Sequence, residues 1–220
     1  MARTTETNSL EVRWFGTGSV PRELDEWLAG LGPVDTSTRT DRYLSPVGPS
    51  FNLKLRSEGG EFVEMKRRLV DPGRHEFGPD VAGAVEQWYK WSFSLDHRPG
   101  LWTTDRTGLW IPVEKTRSLH VLDDGERRSL GDDVPWTDVA AHVEVTEVTA
   151  LGETAWTCGV EATGPVDGLE RAVTLVGSEL FGEGFPIALP AEQSFGYAEW
   201  LRRLAGDSGP DSDVLVPSSR

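Results

Sequence analysis

Strict alternation of apolar and polar residues dominates the chain, and helical spacing recurs in only a few places. Leu10–Phe15 reads as a first strand that stops at Gly16–Gly18. Pro21–Leu31 places Leu24, Trp27, Leu28 and Leu31 at helical spacing, with Ser19 as the expected cap and Pro21 in the first turn. Thr36–Leu44 is a β-branched strand. Phe51–Arg56 and Phe62–Arg68 are two more strands around a Ser57–Gly60 turn, followed by a breaker-rich loop at Asp71–Gly73 and Gly78–Pro79. Val85–Leu95 and Leu109–Leu122 alternate again, and Ala141–Val148 with Ala155–Thr163 form a hairpin closed at Leu151–Gly152. Leu169–Phe181 is a helix with Leu169, Val173, Val176 and Leu180 as its apolar stripe, and Ala198–Leu204 is a last helical turn or two.

So many short strands with few helices and no βαβ alternation predict a mainly β (α+β) fold. The expected architecture is an antiparallel, closed or nearly closed barrel with a few flanking helices. The expected organisation is a flexible stretch over 1–9, one barrel domain over 10–204 and a disordered Gly/Ser/Asp/Pro-rich tail over 205–220.

Side chains of a strand alternate sides. Asn52, Lys54 and Arg56 therefore share one face, opposed by Phe51, Leu53 and Leu55, and Glu64, Lys66 and Arg68 share another. The faces that also carry Arg13, Lys90, Lys115 and Arg117 hold eight basic residues against five acidic ones, Glu11, Glu64, Glu86, Glu144 and Glu161. The chain as a whole is acidic, with a net charge of −14. That overall charge argues against nucleic acid polymers and anionic membranes as partners. Basic faces on such a chain point instead to an anionic ligand. The same alternation is what a solvated sheet face shows, and Glu64/Lys66 and Glu86/Lys90 also read as cross-strand ion pairs. His142 shares a face with Glu144 and reads as a structural histidine, a ligand or a proton carrier. Cys158 is the single cysteine, which rules out an intramolecular disulfide or a thiolate-based zinc site and reads as a small core residue. The first ten residues do not form a signal peptide, and no apolar run approaches the roughly 18 residues that span a bilayer, so the expected location is cytoplasmic.

From about Leu10 to Leu201 these landmarks resemble the CYTH superfamily, the triphosphate tunnel metalloenzymes. The shared features are a glutamate-bearing first strand before a helix, the basic pair Lys54/Arg56, a central Lys66 and a second basic pair Lys115/Arg117. The acidic strand and hairpin at Thr146–Gly152, Glu161, and the closing segments Leu169–Val176 and Ser194–Leu201 follow in the same order. The resemblance implies a barrel around a charged tunnel in which glutamates hold Mg2+ or Mn2+ and basic residues grip phosphate. The family's Glu-x-Glu-x-Lys is altered here: Glu11 is kept, Arg13 replaces the second glutamate and Phe15 the lysine. A later Glu-x-Glu is represented by Gly159 and Glu161. Thr146 stands where an aspartate is expected, with Glu144 on the same face.

The resemblance therefore implies phosphate contacts from Arg13, Lys54, Arg56, Lys66, Arg68, Lys90, Lys115 and Arg117, and metal ligation, if any, by Glu11, Glu144 and Glu161. The expected function is binding of a phosphorylated anion (triphosphate, nucleotide or polyphosphate) with hydrolysis weak or absent. The alternatives are an active divalent-metal-dependent triphosphate hydrolase and a non-catalytic barrel that binds protein through a Trp-rich exterior. The sequence leaves the oligomeric state open.

Overall fold

The computed structural model describes residues 4–45, 48, 50–56, 62–94, 109–123 and 139–206. Its strands are β1 (Thr4–Thr17), β2 (Asp35–Leu44), β3 (Phe51–Arg56), β4 (Phe62–Gly78), β5 (Val81–Ser94), β6 (Trp110–Asp123), β7 (Ala140–Ala150) and β8 (Glu153–Thr163). They close into an antiparallel barrel in the order β1-β5-β4-β3-β2-β6-β7-β8, with β8 pairing back onto β1. Among the described residues three α-helices flank it: α1 (Arg22–Gly30), α2 (Val166–Leu180) and α3 (Tyr197–Leu204). The expected mainly β barrel is thus the architecture observed. Among the described residues no helix is long and apolar enough to cross a membrane.

Three strands are buried on both faces. The outward residues Leu10, Val12 and Trp14 of β1, Val143 and Val145 of β7, and Cys158 and Val160 of β8 form one core with Leu24 and Leu28 of α1. Leu169, Val173, Val176 and Leu180 of α2 join the same core, which confirms the stripe read from the sequence. Burial pushes the Cys158 thiol up to about 12, as expected of an inert core residue. Trp14 packs edge-on against Phe77 and Phe181, and its indole N–H donates to the Ala82 carbonyl at 2.8 Å. Trp156 and Trp200 are also buried and serve packing, while the buried Trp88 faces the barrel interior and donates its indole N–H to Glu86 at 3.2 Å.

Close approach around Trp14 requires Gly83. A Cβ there would lie 2.6 Å from both the Trp14 ring and Val12 Cγ2, and 2.9 Å from Ser194 Oγ. Gly83→Ala is expected to cost about 1–3 kcal/mol by overpacking. In a domain of this size that lowers the melting temperature by roughly 2–4 °C per kcal/mol. An unchanged melt would show that the β1–β5 wall is looser than this packing implies.

Several boundaries differ from the sequence reading. β1 begins at Thr4, where its first residues pair with β5. The breakers at Asp71–Gly73 do not end a strand, since β4 runs through to Gly78 and keeps its pairing with β5 by shifting register on either side of them. A neighbouring strand that continues to supply hydrogen-bond partners lets the breakers act as bulges. Pro21, not Ser19, precedes α1, with no side-chain cap. The Ser57–Gly60 turn and the 207–220 part of the tail lie outside the described residues.

Candidate functional site

Alternation carries Arg13 of β1, Lys54 of β3, Lys66 of β4, Lys90 of β5, Lys115 of β6, Glu144 of β7 and Glu161 of β8 to the barrel interior, where they line a cavity of about 240 Å3. One end is filled. Ala198, Trp200 and Leu201 of α3 pack with Phe15, Val113, Val148 and Ala155, which lie on the inward faces of β1, β6, β7 and β8. Phe15 stacks between Phe195 and Trp200, and Tyr197 meets it edge-on. Ser194 anchors the approach to α3 by accepting a hydrogen bond from the Ala84 amide at 2.8 Å. Tyr197 and Ala198 form the floor of a cup where the sequence suggested a tunnel.

The lining inverts the charge of the chain. Among the described residues it contains eight of the chain's 22 Lys and Arg and four of its 36 acidic residues, Glu11, Glu64, Glu144 and Glu161. The chain has four lysines, Lys54, Lys66, Lys90 and Lys115, and all of them are here. The arginines are Arg13, Arg39, Arg56 and Arg117. An ammonium is a compact charge whose ionisation responds to burial, whereas a guanidinium stays protonated. A chain that uses only arginine elsewhere keeps lysine for this interior.

Two clusters organise the charges. In the first, the inaccessible Asp41 receives Lys115 Nζ at 3.0 Å, Arg39 Nε at 3.3 Å and Lys54 Nζ at 3.5 Å. Burial opposes ionisation of Asp41, but the three cations outweigh it and hold its carboxyl well below the usual range. Lys115 pays for the crowding: burial, reinforced by Lys54 and Arg39, pushes it down to about 7 despite Asp41. Its ammonium also donates to the Tyr43 hydroxyl at 3.1 Å and lies 3.6 Å from the centre of the Tyr197 ring. Glu64 links this cluster to the wall, 2.9 Å from Lys54 and 3.4 Å from Arg56. Burial raises the Glu64 carboxyl and Lys54 overrides it, leaving a value of about 2.

In the second cluster Arg13 Nη1 lies 2.6 Å from Glu144 Oε1 and donates to Thr157 Oγ1 at 3.1 Å. Lys66 Nζ bridges Glu11 at 3.1 Å and Glu161 at 3.6 Å, and the other Glu161 oxygen is 3.5 Å from His142 Nε2. Burial disfavours the charged form of Glu144, yet Arg13 holds its carboxyl at about 2.

Lys90 and Arg117 belong to neither cluster. Among the described residues neither has a carboxylate within ion-pair distance, and Arg117 Nε is buried without a hydrogen-bond partner. β5 and β6 are four strands apart in either direction around the barrel, so these two side chains face each other across the cavity. Lys90 also pairs in register with Lys66. Burial, reinforced by Lys66 and Lys54 and opposed by Glu161 and Glu64, pushes its ammonium below the ordinary lysine value.

Of the eight basic residues read from the sequence, seven line the cavity. Arg68 does not. It is in register with Trp88, but its Nη1 pairs with Glu86 at 2.8 Å, outside the lining. Sequence reasoning missed Arg39, Asp41 and Tyr43, although their spacing on β2 was the available signal, and it missed the entry of Tyr197 into the cavity. Glu11, Glu144 and Glu161 do gather on the adjacent strands β1, β7 and β8, each held by a cation. Among the described residues no three His, Cys, Asp or Glu side chains are placed to hold a metal ion. His120 is structural, its Nδ1 lying 2.8 Å from the Pro33 carbonyl oxygen. In comparison with known proteins, no family model matches the chain and no curated sequence matches it.

Proposed function

We propose that the barrel binds a small, multiply charged phosphorylated anion in its cavity and that hydrolysis there is weak or absent. The observation that carries this reading is the pair Lys90 and Arg117, which among the described residues have no carboxylate within ion-pair distance and stand on opposite walls of a lining already rich in positive charge. Uncompensated buried charge costs several kcal/mol, and an anion with two or more separated charges offsets it on both walls at once. Phosphate chains suit such a lining because guanidinium groups grip their oxygens in pairs and ammonium groups act as point charges. The volume of about 240 Å3 lies under the roughly 300–1,000 Å3 of typical small-molecule sites. A compact anion such as triphosphate fills it, and the nucleoside of a nucleotide would project from the mouth. Weak hydrolysis follows from the carboxylates: Glu11, Glu64, Glu144 and Glu161 are each engaged by a lysine or arginine, so none is free to act as a base.

Titration calorimetry with tripolyphosphate tests the proposal. Lys54 and Lys115 hold Asp41, so the informative variant is Lys90→Gln with Arg117→Gln, which leaves both clusters intact. It is expected to weaken binding at least about tenfold, or 1.4 kcal/mol. Equal affinity in the double variant, or no binding by the native protein, would remove the reading. Rapid phosphate release in the presence of Mg2+ or Mn2+ would instead favour an active hydrolase.

A further inference from the structure

A guanidinium occupies the place where the altered motifs would otherwise bring carboxylates together. Arg13 and Gly159 are direct partners across the β1–β8 ladder. A Cβ at position 159 would stand 3.1 Å from Arg13 Cζ, so the glycine leaves the room that the guanidinium fills. The two departures from the acidic pattern, at 13 and at 159, are thus one local replacement. Arg13 is only 5% exposed and is fixed by Glu144 and by Thr157. One strand position away, Lys66 spans Glu11 and Glu161. A hard divalent ion seeks six or more oxygen ligands. Here it would have to displace both cations from the carboxylates or stand beside them, and a divalent ion about 4 Å from a unit positive charge is repelled by about 8 kcal/mol at an effective dielectric near 20. The donor set does not fit Mg2+ or Mn2+.

We infer that the cavity takes its anion free of divalent metal, with the Arg13 guanidinium and the Lys66 ammonium supplying the fixed positive charge that a metal ion would bring. The inference rests on the cavity being a site for phosphorylated anions. It adds that the ligand is the bare anion and that Mg2+ in solution competes with the protein for it.

The test is calorimetric titration of sodium tripolyphosphate into the native protein, once in EDTA and once in millimolar MgCl2. The expected result is binding in EDTA that is as tight as, or several-fold tighter than, binding in Mg2+. Binding at least about tenfold tighter with Mg2+ overturns the inference. Absence of heat in both conditions removes the anion reading itself. The metal question is then decided by titrating Mn2+ into the protein alone and following free Mn2+ by electron paramagnetic resonance. No uptake below millimolar Mn2+ supports cations already seated on the carboxylates. A micromolar site that disappears in Glu144→Gln shows that the carboxylates accept a metal and overturns the claim.

Discussion

Replacing Asp41 with Asn should destabilise the barrel by about 3–5 kcal/mol, whereas Lys115→Met should change stability by less than about 1.5 kcal/mol. The asymmetry comes from counting partners. Asp41 is wholly inaccessible and is approached by Arg39, Lys54 and Lys115. Removing the carboxylate leaves three like charges around a buried amide. Removing Lys115 leaves Asp41 two cations, and Met packs against the Tyr43 and Tyr197 rings that now flank the ammonium. Urea unfolding of both variants measures the contrast, and equal losses would mean that Asp41 and Lys115 behave as an isolated pair. The pH dependence has a definite sign. Asp41 is held below its unfolded value of 3.8, and Glu64 and Glu144 at about 2 lie below 4.5. Their stabilisation is complete above those unfolded values and is lost as pH falls through the folded ones. The Asp41→Asn penalty should therefore shrink in strong acid.

Much of the barrel was legible because period-two alternation and turn chemistry are local. The β7–β8 hairpin follows from its two apolar runs and from Leu151 and Gly152, which adopt φ of 54° and 85°. The α2 stripe follows from spacing alone. What local pattern misses is a strand sustained by its neighbour: β4 survives Asp71–Gly73 because β5 keeps pairing with it. The site was legible to the same degree. Lys54, Lys66, Lys90, Lys115 and Arg117 fall inward by alternation, and Arg68 shares the face of Lys66 but is drawn to Glu86 beyond the lining, a pairing that alternation does not encode. Asp41 sits in a run of Thr, Ser and Arg that reads as a solvated strand, and only the closing of β2 against β3 and β6 buries it. Tyr197 reaches the cavity through α3, a contact between residues far apart in the chain that no periodicity encodes.

Anion affinity should fall by as much as about tenfold for each pH unit above 7, because binding takes up a proton at Lys115. Burial holds the Lys115 ammonium at about 7, so near neutrality a large part of the population is uncharged. A phosphoryl or sulfate group in the cavity favours the charged form, which ties binding to protonation. The facing groups are Asp41, Lys54 and Arg39, which already set the position of Lys115, together with the Tyr43 hydroxyl and the Tyr197 ring. Lys90, also pushed down by burial, adds a loss of the same sign at higher pH. Sulfate is the cleaner probe, since its charge is constant over this range, whereas tripolyphosphate gains charge as pH rises and masks part of the effect. Calorimetry in buffers of different ionisation enthalpy should show uptake approaching one proton above pH 8. Lys115→Arg keeps its charge at every accessible pH and should abolish the uptake due to this residue. The unliganded protein should show the opposite trend. Between about 7 and 10.5 the unfolded chain binds more protons at this lysine than the folded one, so stability rises with pH through that window while affinity declines. Affinity that is flat from neutral to alkaline pH, with no proton taken up, would place the anion away from Lys115.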